Sequence, residues 1–194
     1  MSTITLEHFK ASFGWSPVPQ DTYAGEHDRA ILLTLARHVQ ARRVVEVGVQ
    51  EGRTAATLLS GCPSIERYLG IDLPPGSVTA LKGQQTELPV VAGRLARDFK
   101  AFMLCLIAGG TKELVEFPDS DFFFIDGEHT YEAVLHESEM ALAACKRGVI
   151  CWHDYDNNSV PGVRDAIDKL NQTVTQNNIV NVLGTWMCFL MVNP

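Results

Sequence analysis

Apolar residues fall along this chain in short blocks of two kinds. Compact runs rich in Val, Ile and Phe have the length and composition of buried strands: Arg43–Val47, Tyr68–Ile71 ending at Asp72, Val90–Ala92, Asp121–Ile125 and Val149–Trp152. Between them lie segments with helical spacing. One spans Gly25–Val39, where Ile31, Leu32, Leu35 and Val39 form an apolar stripe. Others span Thr54–Ser60, ended by Gly61 and Pro63, and Leu95–Ile107, closed by Gly109-Gly110. Two more run over Thr130–Lys146, closed by Gly148, and over Val163–Asn171, starting near Pro161. Ile179–Leu183 and Trp186–Val192 flank Gly184-Thr185, the pattern of a tight hairpin. The start, through Tyr23, is broken by Gly14, Pro17 and Pro19 and reads as loop. Alternating strands and helices predict an α/β domain built on a mainly parallel sheet.

Composition narrows this picture. The 194 residues suit one domain with a sizeable core; 46% are hydrophobic and 20% charged, ordinary for a soluble globular protein. A formal net charge of −7 argues against general affinity for nucleic acid or acidic membranes. The five cysteines are dispersed, with no C-x-x-C pair, as expected of reduced thiols in the cytoplasm. Met1 to Phe13 lacks the apolar stretch of a signal peptide, and no apolar run approaches the roughly 20 residues of a membrane span.

The most informative chemistry follows the first long strand. Arg43-Val44-Val45-Glu46-Val47-Gly48 leads through Gln50 and Glu51 to Gly52, Arg53 and Thr54. Two glycines four apart let the backbone turn sharply and approach a ligand, and the helix beyond offers unpaired N–H groups. The dinucleotide fingerprint would carry three glycines instead. The pattern E-x-G-x-x-x-G resembles motif I of the class I S-adenosylmethionine (SAM) methyltransferases. Asp72 ends the second strand, where an acid accepts ribose hydroxyls. An NAD protein would place an acid there too, so the glycine spacing is what separates the two readings.

Two further runs carry polar chemistry on adjacent strand ends: Ile125-Asp126-Gly127-Glu128-His129-Thr130-Tyr131 and His153-Asp154-Tyr155. With Val160-Pro161-Gly162-Val163-Arg164, they resemble a methyltransferase subgroup bearing I-D-G-[DE]-H-[ST]-Y and a later H-D-Y. That subgroup includes bacterial small-molecule and sugar O-methyltransferases and relatives linked to cephalosporin hydroxylase. The resemblance covers roughly Glu26 to Leu170. It implies a three-layer, Rossmann-like, doubly wound sheet of about seven strands, mostly parallel, with an antiparallel strand in the C-terminal hairpin. It also implies a leader or lid over residues 1–24, to which Trp15, Tyr23 and His27 would contribute, and a catalytic domain over 25–194. Cofactor contacts then fall on Glu46, Val47, Gly48, Gly52, Thr54, Asp72 and Asp126. Arg94 stands where the family commonly has an acid near the adenine.

Transfer of a methyl group to oxygen requires the acceptor hydroxyl to lose its proton around the transition state. A neutral histidine suits that task near pH 7. His129, three residues after Asp126, is the first candidate base, and His153 the second; His129 could equally cap its helix or bond Asp154. Asp126, His153 and Asp154 are alternatively the ligands of a divalent cation that orients the acceptor. Metal-dependent relatives have an oxygen ligand where this chain has His153. Magnesium prefers oxygen, whereas imidazole suits manganese, iron or zinc.

The expected partner is a small-molecule acceptor, and the chain has no separate region for a macromolecule. Tyr131 and Tyr155 are candidates for lining the acceptor pocket, together with the irregular segments Gly14–Tyr23 and Pro74–Glu87. His136 and Glu137 are expected on a solvated helix face. Trp186 and Phe189 are assigned to the core or to a homodimer contact. Two alternatives remain beside the methyltransferase: a nicotinamide-dependent oxidoreductase, and a catalytically silent SAM-binding or scaffold protein.

Overall fold

The computed structural model describes residues 1–19, 27–79, 91–174 and 178–193. Eight strands make one sheet: β1 (Ser2–Thr5), β2 (Arg43–Val47), β3 (Arg67–Asp72), β4 (Phe102–Leu106), β5 (Phe122–Ile125), β6 (Gly148–Trp152), β7 (Val180–Leu183) and β8 (Cys188–Val192). Their order is β1-β7-β8-β6-β5-β2-β3-β4. β8 runs antiparallel to β6 and β7, and the other pairings are parallel. The described α-helices are α1 (Leu6–Phe13), α2 (Asp28–His38), α3 (Arg53–Gly61), α4 (Tyr131–Ala144) and α5 (Pro161–Asn171).

The central strands read as continuous apolar runs because both faces of the sheet are covered. Val44, Phe122, Phe124, Val149 and Cys151 pack with Phe9, Ile31, Leu35 and Leu58 from α1, α2 and α3. The alternate residues Val45, Val47, Phe123, Ile125, Ile150 and Trp152 pack with Val134, Ala141, Val163 and Ile167 from α4 and α5. Side chains alternate along a strand, so residue parity decides which layer each one meets.

Most of the expected elements appear within a residue or three of their predicted ends, and β2 matches residue for residue. Three expectations are corrected. The opening residues are not loop: β1 pairs parallel with β7, and Thr5 caps α1 by accepting a hydrogen bond from His8 N at 3.1 Å. Gly14, Pro17 and Pro19 break the chain only after that helix. The expected strand at Val90–Ala92 is absent over its described part, where residues 91 and 92 lie in bend and turn; Val90 lies outside the described residues.

The expected helix over Leu95–Ile107 is a series of turns followed by strand β4. Leu95, Phe99, Phe102 and Leu106 have helical spacing, but Phe102–Leu106 is also an unbroken apolar run that periodicity alone cannot assign. Pairing with β3 decided it, and as an edge strand β4 leaves Met103 exposed. Tyr23, the boundary between residues 24 and 25, and parts of both expected pocket segments (20–23 and 80–87) lie outside the described residues. Among the described residues, no helix is long and apolar enough to cross a membrane.

Phe9 is fully buried, with its ring centroid 5.0 Å from Phe13 and 5.8 Å from Phe189 of β8. The N-terminal segment is therefore part of the core. Phe9→Ala is expected to lower unfolding free energy by about 3–5 kcal/mol in urea denaturation. A change below about 1 kcal/mol would mean that α1 packs only loosely.

Candidate active site

The register of three parallel strands brings the polar residues to one level. Glu46 lies opposite Phe124, and Phe124 opposite Cys151. Two residues further along, Asp126 N donates to Val47 O at 2.9 Å and His153 N to Ile125 O at 3.2 Å, continuing the ladders past the strand ends. Gly48, Asp126 and His153 thus stand side by side, on the parity that faces α2. They line one cleft with Glu46, Asp28 and Thr54.

Glycine at position 48 is a steric requirement. Its φ is +84°, and a Cβ there would sit 2.0 Å from the carbonyl oxygen of Asp126. Gly52 has the same φ and packs against Gly93, 3.1 Å from where its Cβ would be. Asp72 ties the turn together: its Oδ2 accepts from Val49 N at 3.0 Å and Gln50 N at 2.6 Å, and its Oδ1 from Leu73 N at 2.7 Å. Burial raises the Asp72 pKa, while these amides pull it down. Val47 points the other way, into the α4–α5 core, so only its backbone faces the turn. Arg94 donates to Glu51 Oε1 at 3.0 and 2.8 Å, and Arg53 donates to Glu51 Oε2 at 2.9 Å. Both guanidinium groups thereby brace the outside of the turn.

Glu46 is buried and accepts a 2.9 Å hydrogen bond from the Tyr68 hydroxyl. Burial pushes its carboxyl well above the ordinary range; Asp126 and Asp72 push the same way, and Tyr68 opposes them. A cationic group entering the cleft beside Glu46 would favour its ionised form.

Behind the turn, four side chains converge. His129 Nε2 lies 3.3 Å from Asp126 Oδ1 and 3.2 Å from Asp154 Oδ2. His153 Nδ1 lies 3.3 Å from the same Asp126 oxygen and 3.2 Å from the same Asp154 oxygen. Consecutive strand residues normally point to opposite faces. Asp154 escapes this with a left-handed backbone, φ +60°, and its side chain turns back beside that of His153. Asn157 fixes its other oxygen at 2.8 Å. On the far side of the ring, His153 Nε2 bonds Asp28 Oδ2 of α2 at 2.9 Å.

Burial works against ionising Asp126, but the His153 and His129 imidazoles outweigh it and hold the carboxyl well below its usual range. Burial likewise depresses both histidines, and the carboxylates reverse this: Asp126 leads in raising each, joined by Asp154 and, for His153, Asp28. His129 does not cap α4. Thr130 does, accepting from Ala133 N at 3.3 Å.

Other residues depart from expectation. Glu137 is buried, not solvated: the Thr111 hydroxyl donates to its Oε1 at 2.5 Å. His136 is half-buried and bonds Leu114 O at 3.1 Å. The expected solvated face failed because the 3₁₀ turn Thr111–Glu113 packs over α4. Tyr155 is buried and donates to Asp168 at 2.8 Å. Tyr131 is half-buried against the α4–α5 core. Phe189 is buried, whereas Trp186 is 42% exposed and meets His153 edge-on at 5.7 Å. Trp15 contacts His27 edge-on at 5.8 Å. Asp28 and Tyr68 were not anticipated. Asp28 carries no signal in the sequence, since its partner lies 125 residues away. Tyr68 was visible as a hydroxyl in an otherwise apolar strand.

A family model described as a methyltransferase domain matches residues 45–155, from the first turn through the histidine–aspartate pair. The chain belongs to the class I, SAM-dependent methyltransferases. Solved structures of the same fold include the O-methyltransferase TomG from Streptomyces achromogenes, in complex with SAM. It is 16% identical, with 89% of this chain and 83% of that one covered and a TM-score of 0.62. The SAH-bound methyltransferase PaMTH1 of Podospora anserina is 10% identical, covering 97% and 93%, with a TM-score of 0.65. An O-methyltransferase from Bacillus cereus in complex with SAH is 16% identical, covering 96% and 88%, with a TM-score of 0.60. Among curated proteins, no sequence matches. For this methyltransferase the comparisons confirm the fold class expected from the sequence, with an eighth strand added by β1.

Burial raises the Glu137 pKa from 4.5 to about 8, against the pull of Thr111. The folded state therefore favours its protonated form. Its contribution to stability is complete below the unfolded value near 4.5 and is lost as pH rises through about 8. Glu137→Gln cannot ionise, so its stability should fall less than that of the native protein between those limits, by on the order of several kcal/mol. Urea midpoints at a series of pH values check this, and parallel curves for the two proteins would refute it.

Proposed function

We propose that this methyltransferase moves the methyl group of SAM to a hydroxyl oxygen of a small molecule. One observation carries the reading: the glycine turn meets Asp126 and His153 in a single cleft, with Gly48 seated against the backbone of Asp126. The turn fits SAM on its own chemistry. Glu46 is a buried carboxyl group suited to a cationic ammonium group, Gly48 and Gly52 let the turn close against the Asp126 and Gly93 backbones, and Asp72 is the acid assigned to the ribose. Thr54 lines the same cleft at the start of α3. When bound, SAM supplies an electrophilic methyl group on a sulfonium.

The residues of this chain supply placement and proton handling. A C–O bond forms as the S–C bond breaks, the sulfonium becomes a neutral thioether, and the hydroxyl proton must leave. Asp126, His129, His153 and Asp154 are the groups assigned to activating that hydroxyl. Holding the oxygen in line with the methyl group contributes through orientation. A net charge of −7 disfavours a nucleic-acid acceptor.

Calorimetry with SAM and with NAD tests the cofactor, and release of S-adenosylhomocysteine over a panel of hydroxylated metabolites tests the acceptor. SAM is expected to bind in the micromolar range and NAD not to bind. Glu46→Gln should weaken SAM by roughly tenfold, the loss of one charge-assisted contact. Absence of SAM binding at high micromolar concentration, or binding of NAD in its place, would overturn the assignment.

A further inference from the structure

We infer that Arg29 is the receptor for the carboxylate of SAM's amino-acid group, and that with Glu46 it makes the cleft selective for a cofactor carrying both charges of that group. The inference rests on the reading of the cleft as a SAM site. It assigns a residue that lies outside every motif of the sequence and on a different element from the glycine turn.

Position is the first ground. Asp28, Arg29 and Leu32 of α2 line the same cleft as Glu46 and Gly48. Leu32 follows the other two by four and three residues, so the three share one face of the helix. Asp28 anchors that face, with its Oδ2 2.9 Å from His153 Nε2. The anchor fixes where α2 begins beside the strand ends, and so where the next residue, Arg29, stands. The partial positive charge of the helix N-terminus falls at the same end.

Chemistry is the second ground. Asp28 to Ala36 are all buried, and beyond Arg29 they are apolar except for Thr34. Arg29 itself is 7% exposed. A guanidinium is almost never buried so deeply for packing alone. Its planar fork matches a carboxylate with two parallel bonds, and five N–H donors let it take one without releasing other bonds. Glu46, 1% exposed, supplies the complement. The ammonium and carboxylate of an amino acid sit on one carbon, so their receptor needs an acid and a base within one small space. The cleft has both. A buried site built for a charged group rejects an analogue without it, because the site's own polar group then loses that partner. Arg53 also lines the cleft, but Glu51 Oε2 takes it at 2.9 Å and 33% of its side chain is exposed, which leaves Arg29 the better placed.

The test is calorimetry on the full chain with SAM and with decarboxylated SAM, which keeps the sulfonium and the ammonium and lacks only the carboxylate. By charge alone, a protein of net charge −7 favours the decarboxylated form, which carries one more positive charge. A preference for SAM therefore has to come from a carboxylate receptor. The native protein is expected to bind SAM more tightly by at least about 10-fold. Arg29→Gln should weaken SAM by roughly 10–100-fold and the decarboxylated form by less than about 3-fold. Glu46→Gln should weaken both alike, since both keep the ammonium. Urea midpoints report that each variant folds. Should Arg29→Gln not fold, Arg29→Lys, which keeps the charge and loses the fork, is expected to narrow the preference. Native protein that binds the decarboxylated form as tightly as SAM would overturn the inference. So would Arg29→Gln that weakens both equally, or a preference lost in Arg53→Gln and kept in Arg29→Gln. Native protein that binds neither would instead overturn the proposed function.

Discussion

The contact between the Gly48 turn and the Asp126 carbonyl is the constraint on which the rest of the site depends. Two chain segments separated by an entire crossover are pressed together until no side chain fits between them. Parallel pairing of β2 with β5 sets the level, and the ladder bond from Asp126 N to Val47 O extends it one step past both strands. The glycine then permits what the ladder demands. Without that approach the cofactor turn and the His–Asp cluster would each keep their local geometry, but they would open onto different spaces. Asp72 reinforces the arrangement by holding the Val49 and Gln50 amides from the adjacent strand end. A residue assigned to the ribose thus also shapes the turn, since each carboxylate oxygen can accept more than one hydrogen bond.

Much of the molecule was legible because local chemistry and global fold agree. The strand Arg43–Val47 is apolar, β-branched and followed by the only backbone that can make the turn, so nothing competes with its assignment. The same agreement made Asp126, His153 and Asp154 readable as neighbours, since each follows a buried strand of a parallel sheet. Legibility ended where a decision depended on pairing or on distant chain. Phe102–Leu106 satisfies helical and strand patterns together, and only the open edge of β3 selected the strand. Ser2–Thr5 is too short and mixed to announce itself, yet the edge of β7 gives it a partner. Asp28 stands at the start of a helix, where an acid is ordinary. Its bond to His153, 125 residues on, is made only by the fold.

The buried polar residues divide by which layer of the sheet they meet. On the α4–α5 side, Glu137 is held by Thr111 and favours its neutral form, which suits a core position. On the α2 side, Asp28, Glu46, Asp126, Asp154 and the two histidines form a titratable set, several of its members deep enough that desolvation opposes ionisation. A core does not collect such groups for stability, because each buried charge loses its hydration and recovers it only in part through partners. Desolvation that is tolerated here, beside a strained aspartate and a backbone contact too tight for a side chain, marks the region where stability is traded for chemistry. Part of the balance is already restored within the site, where His129 and His153 stand against Asp126 and Asp154. Glu46 calls for a cation attached to the donor molecule.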